Sequence, residues 1–181
     1  MAESWRRTGS EEVYDARIFK LRRDRYEHAG HPVHPFYVLE ANAWVNIVAV
    51  TESREIVLVR QFRHGIREVS LEVPGGMVDP LDADPAAAAA RELREETGFE
   101  APRLEPLAVV SSNPAILTNR THLYLAENAR RAGDPAPDPH EDVTVELCSM
   151  GDVRRRIESG EIHHSLCVCA LTLYLLRVGE A

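Results

Sequence analysis

Two hydrophobic rhythms alternate along this chain. Apolar, largely β-branched runs at Trp44 to Val50 (WVNIVAV) and Ile56 to Gln61 (IVLVRQ), separated by the turn-like Thr51 to Glu55, predict a hairpin. Val69 to Val73 predicts a further strand that leads straight into Pro74, Gly75 and Gly76. Leu107 to Ser111, Thr121 to Ala126 and Val143 to Cys148 read as strands, and Ala129 to Glu141, with its three prolines, as a loop. Upstream, Glu12 to Leu39 shows only short apolar alternations, broken at the turn-prone Ala29 to Pro35. That pattern marks a small strand-rich appendage over residues 1–43.

Helical punctuation appears at three places. Asp84 is placed to cap a helix, Pro85 suits its first position, and Gly98 can end it. Met150 to Ser159 reads as a polar amphipathic helix. Leu166 to Val178, opened by Ser165 and closed by Gly179, falls short of the ~20 residues of a membrane span and reads as a buried core helix. Strands on both sides of one helix, with more helix near the end, predict an α/β (α+β) domain over residues 44–181 in which a mixed sheet lies between helices.

Composition narrows the partners. A chain of 181 residues with 44% hydrophobic content can bury a sizeable core. A formal net charge of -8 argues against a nucleic-acid polymer or an anionic membrane, so an anionic substrate would need local help from arginine or a metal ion. Met1 to Glu12 is polar and lacks the apolar stretch of a signal peptide, and Cys148, Cys167 and Cys169 are odd in number. Free thiols in a reducing cytoplasm are the expectation.

The chemistry concentrates between Gly75 and Phe99. On a helix, Glu92, Glu95 and Glu96 stand at i, i+3 and i+4, so three carboxylates share one face, and nothing at Ala88 or Ala89 offsets their repulsion. An all-oxygen patch of this sign suits hard cations such as magnesium or manganese. Gly75 and Gly76, lacking Cβ atoms, allow the preceding backbone to come close to an ion or a phosphate. His28, His31 and His34 recur at every third residue but have no cysteine or carboxylate partners at ligand spacing, and read as a solvated turn. Arg63 is a candidate for phosphate, where a forked guanidinium serves better than lysine, of which the chain has one, Lys20. Glu72 is a candidate to accept from a ribose or from water on a metal ion. Trp44 is a candidate to stack on a base, with a core tryptophan as the alternative.

Arg91 to Phe99 reads RELREETGF, which resembles the second half of the Nudix box at every fixed position. The first half departs from it. Counting forward from Gly76, the box glutamate falls on Asp82; counting back from Arg91, it falls on Ala83, so the loop carries an extra residue. In the family that glutamate is a supporting residue, so the departure bears on how the ligands are oriented more than on metal binding. VRQFRHG, LEVPGG, SSNPAILTNR, HEDVTVELCSM and ESGEI are similar to the ADP-ribose and nucleoside-diphosphate-sugar pyrophosphatase branch, from Trp44 to Leu176.

The resemblance implies a Nudix-type α/β/α sandwich and dependence on Mg2+, with Mn2+ as the alternative. It implies Glu92 and Glu96 as metal ligands, Glu95 shared between metal binding and water activation, the Gly76 carbonyl as an additional ligand, and Arg91 orienting its neighbours. It also implies Glu141 as a general base from a loop outside the box, with Asp142 next in rank, and a homodimer for which the appendage is a possible dimerisation element. The expected reaction is hydrolysis of a nucleoside diphosphate sugar, such as ADP-ribose or GDP-mannose, to a nucleoside monophosphate and a sugar phosphate. Hydrolysis of nucleoside triphosphates or dinucleoside polyphosphates, or a weakly active nucleotide-sugar-binding regulatory role, are the alternatives.

Overall fold

The computed structural model of the chain describes residues 4–137 and 142–179. It divides into two compact units, Met1–Asn42 with Ser111–Arg120, and Ala43–Val110 with Thr121–Ala181. In the first, β1 (Trp5–Asp15) and β2 (Phe19–His28) form an antiparallel ribbon, and β3 (His31–Pro32) and β4 (Phe36–Ala41) pair with successive stretches of β2. Segment 111–120 is tied to this unit through Leu39, whose N–H donates to Ile116 at 2.7 Å and whose carbonyl accepts from Thr118 at 3.0 Å. The three histidines of the sequence pattern are exposed around the left-handed turn at Ala29 and Gly30, and His28 lies against Trp5.

The second unit contains β5 (Trp44–Thr51), β6 (Glu55–Arg63), β7 (Glu68–Glu72), β8 (Gly75–Met77), α1 (Pro85–Thr97), β9 (Phe99–Glu100), β10 (Glu105–Ser111), β11 (Arg120–Arg131), β12 (Val143–Ser149), α2 (Met150–Glu158) and α3 (Ser165–Val178). Its sheet runs β10-β11-β5-β6-β12 and is mixed, since β11 lies parallel to β5 while β6 and β12 run antiparallel to their neighbours. The expected hairpin of β5 and β6 forms, but its strands pair only next to the turn, at Ala49 with Val57 and Val50 with Ile56. Beyond that they splay. β7 pairs with β6 on one side of the fork, β8 pairs with β5 on the other, and the Ile47 N–H donates to the Pro74 carbonyl at 2.9 Å where the chain crosses between them.

Both faces of the sheet are covered, which is why β5 and β6 read as nearly continuous apolar runs instead of alternating ones. Val48, Val50, Leu58, Leu123 and Leu125 pack on one face with Val153 of α2 and Cys167, Leu171 and Tyr174 of α3. Val45, Ile47, Ala49 and Val57 pack on the other with Ala88, Ala89 and Leu93 of α1. The alternation of adjacent residues in β5 between the two clusters is the two-residue period of a strand, and the result is the expected sandwich of helices about a mixed sheet. Among the described residues no helix is long and apolar enough to cross a membrane.

Candidate active site

Helix α1 forms as its sequence dictates. The Asp84 side chain accepts from Ala87 N–H, Pro85 opens the first turn, and Gly98 closes the helix in a left-handed conformation with φ 73°. The helix buries Ala88, Ala89 and Leu93, and this rotation turns Glu92, Glu95 and Glu96 towards β8 and its approaches to different depths. Glu96 is buried, Glu92 largely so, and Glu95 remains well exposed.

Strand β8 is pressed between β5 and α1. A Cβ on Gly75 would lie 2.2 Å from the Val45 carbonyl oxygen, and one on Gly76 would lie 2.4 Å from Glu92 Oε1. Only glycine lets the backbone come this near the carboxylates. Glu96 Oε2 accepts from the Gly75 N–H at 2.9 Å, and Gln61 Nε2 reaches Glu96 Oε1 at 3.5 Å. Gln61 escapes notice in the sequence because it ends an apolar strand; the signal is a buried amide on a strand beside the glycines.

Arg91 organises the rim. Its guanidinium donates to Asp82 through Nε and Nη2, both at 3.1 Å, to Glu92 at 3.0 Å, to Glu95 at 2.9 Å and to the Met77 carbonyl at 3.1 Å. Hydrogen bonding to Arg91 holds the Asp82 carboxyl below its ordinary range. The Asp79 N–H adds a further bond to Asp82 at 2.8 Å. Asp82 is therefore the residue that meets Arg91, and Ala83 is not. The extra loop residue brings a side chain one methylene shorter than glutamate within reach of the arginine.

Arg63 of β6 reaches along the ladder, past its own register partner Glu68, to Glu72 of β7 and forms a two-pronged ion pair, Nε to Oε1 at 2.9 Å and Nη2 to Oε2 at 2.6 Å. Burial pushes the Glu72 carboxyl, which is 1% exposed, upward more than any other single influence, but the hydrogen bonds and the positive charge of Arg63, with smaller help from His164 and Ser70, together hold it below the ordinary carboxylate range. The pair lines a cavity of about 340 Å3 together with Trp44, Asn46, Gly76 and His164. Trp44 is half-buried and faces this cavity instead of the core. Gly76 and Met77 also line an adjoining hollow with Asp82, Arg91, Glu92 and Glu95. One glycine strand is thus shared by a cavity with a guanidinium and a hollow with carboxylates.

Arg60 is held by Glu146 at 2.7 Å and Glu161 at 2.8 Å. Glu141 lies outside the described residues. Asp142 is exposed just ahead of β12, whose first residue, Val143, pairs with Gln61.

The donor set fits a hard divalent ion: oxygens on one helical face, backbone brought close by missing Cβ atoms, and an arginine that fixes two of the carboxylates. If Asp82 orients Arg91 and through it the carboxylates, then Asp82→Ala should weaken divalent-ion affinity by about 10- to 100-fold, the range seen when a ligand's supporting partner is lost. Manganese titration followed by electron paramagnetic resonance checks this. Unchanged affinity would remove Asp82 from the site.

Comparison with known proteins identifies the family. The NUDIX domain family model matches residues 42–166. The chain is 32% identical over 174 residues to the ADP-ribose pyrophosphatase of Mycobacterium tuberculosis, covering 95% of this chain and 84% of that one. It is 27% identical to the methanol dehydrogenase activator of Bacillus methanolicus, covering 93% and 91% of the two chains. A crystal structure of an ADP compounds hydrolase superposes with a TM-score of 0.83 at 22% identity, covering 98% of this chain and 97% of the other, and so shares its fold. With the box residues, the sandwich and these matches in agreement, the chain belongs to the NUDIX domain family.

Proposed function

We propose that this protein is a divalent-metal-dependent pyrophosphohydrolase that cleaves the diphosphate of nucleoside diphosphate sugars, with Mg2+ as the working ion and Mn2+ as a substitute. The observation that carries the reading is the shared glycine strand, with the α1 carboxylates against one side and the Arg63 cavity on the other. A diphosphate is inert because its oxygens repel an incoming nucleophile, so hydrolysis needs charge neutralisation and an acidified water. A divalent ion held by Glu92, Glu95, Glu96 and the Gly76 carbonyl supplies both when bound.

The chain's own groups do the rest. Arg63 is the phosphate ligand in this reading, and Glu72 keeps its fork in one orientation or accepts from a ribose hydroxyl. Trp44, half-buried in the cavity wall, is the surface for a base. Arg91 fixes Glu92 and Glu95, so that Glu95 can take part in water activation, and Glu141 is the proposed general base with Asp142 as the alternative. Water attacks one phosphorus, the bridging P–O bond breaks, and a nucleoside monophosphate and a sugar phosphate leave. The name carried by the Mycobacterium tuberculosis relative supports ADP-ribose as a first substrate to try.

The three free cysteines support a reducing compartment such as the cytoplasm, where their redox state can be checked by thiol trapping in intact cells; trapping as disulfides would contradict it. A homodimer through the first unit is part of the same proposal. Val13, Tyr14 and Ile18 there are 49%, 62% and 68% exposed, more apolar surface than a solvated ribbon needs. Gel filtration should return a dimer, and a monomer at working concentration would contradict it.

Incubation with Mg2+ and ADP-ribose, nucleoside diphosphate hexoses, nucleoside triphosphates and diadenosine polyphosphates, with the released monophosphate quantified, tests the reaction. Turnover should favour the diphosphate sugars. Glu96→Gln, which preserves shape and the bond from Gly75, should lower it by at least about 100-fold, or about 2.7 kcal/mol of barrier. Preference for triphosphates or polyphosphates would transfer the assignment to those substrates, and no turnover of any compound would sink it.

A further inference from the structure

Beside the Arg63–Glu72 pair lies a group of donors that the proposed reaction does not use. His164 and Cys167, three residues apart where α3 begins, converge on Glu72 at the end of β7. Cys167 Sγ is 3.3 Å from His164 Nδ1 and 3.9 Å from Glu72 Oε2. The three donor atoms all lie within 4.8 Å of one another. Cys167 and Glu72 are buried, while His164 is half-buried and lines the same cavity as Glu72.

The spacing is that of a coordination shell. A tetrahedral zinc ion with a thiolate at ~2.3 Å and nitrogen or oxygen ligands at ~2.0–2.1 Å sets its sulfur about 3.5 Å from each of them. The separations here, 3.3 and 3.9 Å, bracket that value. The donor types discriminate too. A mixed sulfur, nitrogen and oxygen set selects zinc-class ions, whereas the all-oxygen face of α1 selects magnesium-class ions.

We propose that Glu72, His164 and Cys167 form a binding site for a zinc-class transition-metal ion, separate in chemistry from the carboxylate face, with its fourth position open to the cavity. Arg63 occupies one acceptor position on each Glu72 oxygen, and Oε2, the oxygen near the thiol, retains another. The guanidinium opposes a dication and burial pushes the Cys167 thiol up, while the Glu72 carboxylate and the nearby Glu96 attract the ion, whose own charge favours the thiolate it binds. On binding, the ion exchanges three water ligands for sulfur, nitrogen and oxygen, and the Cys167 proton leaves to buffer. The bound ion then sits at the wall of the cavity that Arg63 faces.

The test uses the full chain stripped of metal, with millimolar Mg2+ present to occupy the carboxylate face and no substrate. Added Co2+ should produce a near-ultraviolet thiolate-to-cobalt charge-transfer band that one equivalent of Zn2+ abolishes. Cys167→Ser should lose the band and bind zinc more than about 100-fold more weakly, since losing even a ligand's supporting partner costs 10- to 100-fold. Absence of the band in the native chain, or its survival in Cys167→Ser, overturns the site. If Cys167→Ser loses its cooperative melt, His164→Ala serves instead: zinc affinity weakened to the same degree supports the site, and unchanged affinity overturns it. Because no turnover is measured, the outcome is independent of whether the chain hydrolyses nucleotide sugars.

Discussion

Three carboxylates confined to one face of α1 repel one another, and the site depends on the chain holding them together. Like charges at helical-neighbour spacing cost about 0.2–0.5 kcal/mol per pair on a solvated helix, and more where burial strips away screening, as it does for Glu92 and Glu96. Arg91 offsets part of this by donating to Glu92 and Glu95 at once, and the Gly75 N–H does the same for buried Glu96. What remains is negative charge held at fixed positions beside backbone brought near by two glycines. Placing a dication there replaces repulsion with attraction while little needs to move.

The fold delivers the two halves of this arrangement through the fork between β5 and β6. Because the hairpin strands separate after two residue pairs, β7 and β8 enter the gap and the chain crosses it at Val73 and Pro74. Glu72 therefore ends on one side with Arg63, and Gly75 and Gly76 begin on the other, against α1. Nearly every polar group near the crossing has a job in holding another: Arg63 holds Glu72, Gln61 and Gly75 hold Glu96, and Asp82 holds Arg91. Replacing Arg63, Gln61 or Asp82 takes a hydrogen bond away from the charged partner it holds.

Much of this was legible in the sequence where local rules act alone. The cap at Asp84, the stop at Gly98, the shared face of the glutamates and the burial of α3 follow from spacing and turn chemistry. The strand runs also predicted the layered sandwich. What spacing does not reveal is which side chains meet across elements. Counting along the loop leaves Asp82 and Ala83 equally eligible, and the bond to Arg91 distinguishes them only once the loop has folded. Arg63 is readable as the phosphate candidate, but its ion pair with Glu72 and its place on the cavity wall, with Arg60 held by Glu146 and Glu161, emerge only once the strands have paired. The meeting of His164 and Cys167 with Glu72 joins residues more than 90 positions apart, beyond any short-range pattern. The association of segment 111–120 with the first unit is likewise a long-range event.

The central claim is that the face formed by Glu92, Glu95 and Glu96, closed by β8, binds the ion on which hydrolysis depends. Diffraction from crystals grown with Mn2+, recorded at the manganese absorption edge, tests it directly. The expected result is an anomalous peak between the Gly76 carbonyl and the carboxylates of Glu92 and Glu96, with Mn–O distances of about 2.1–2.3 Å. Manganese found only elsewhere, with these carboxylates left to Arg91 and the Gly75 N–H, would contradict it.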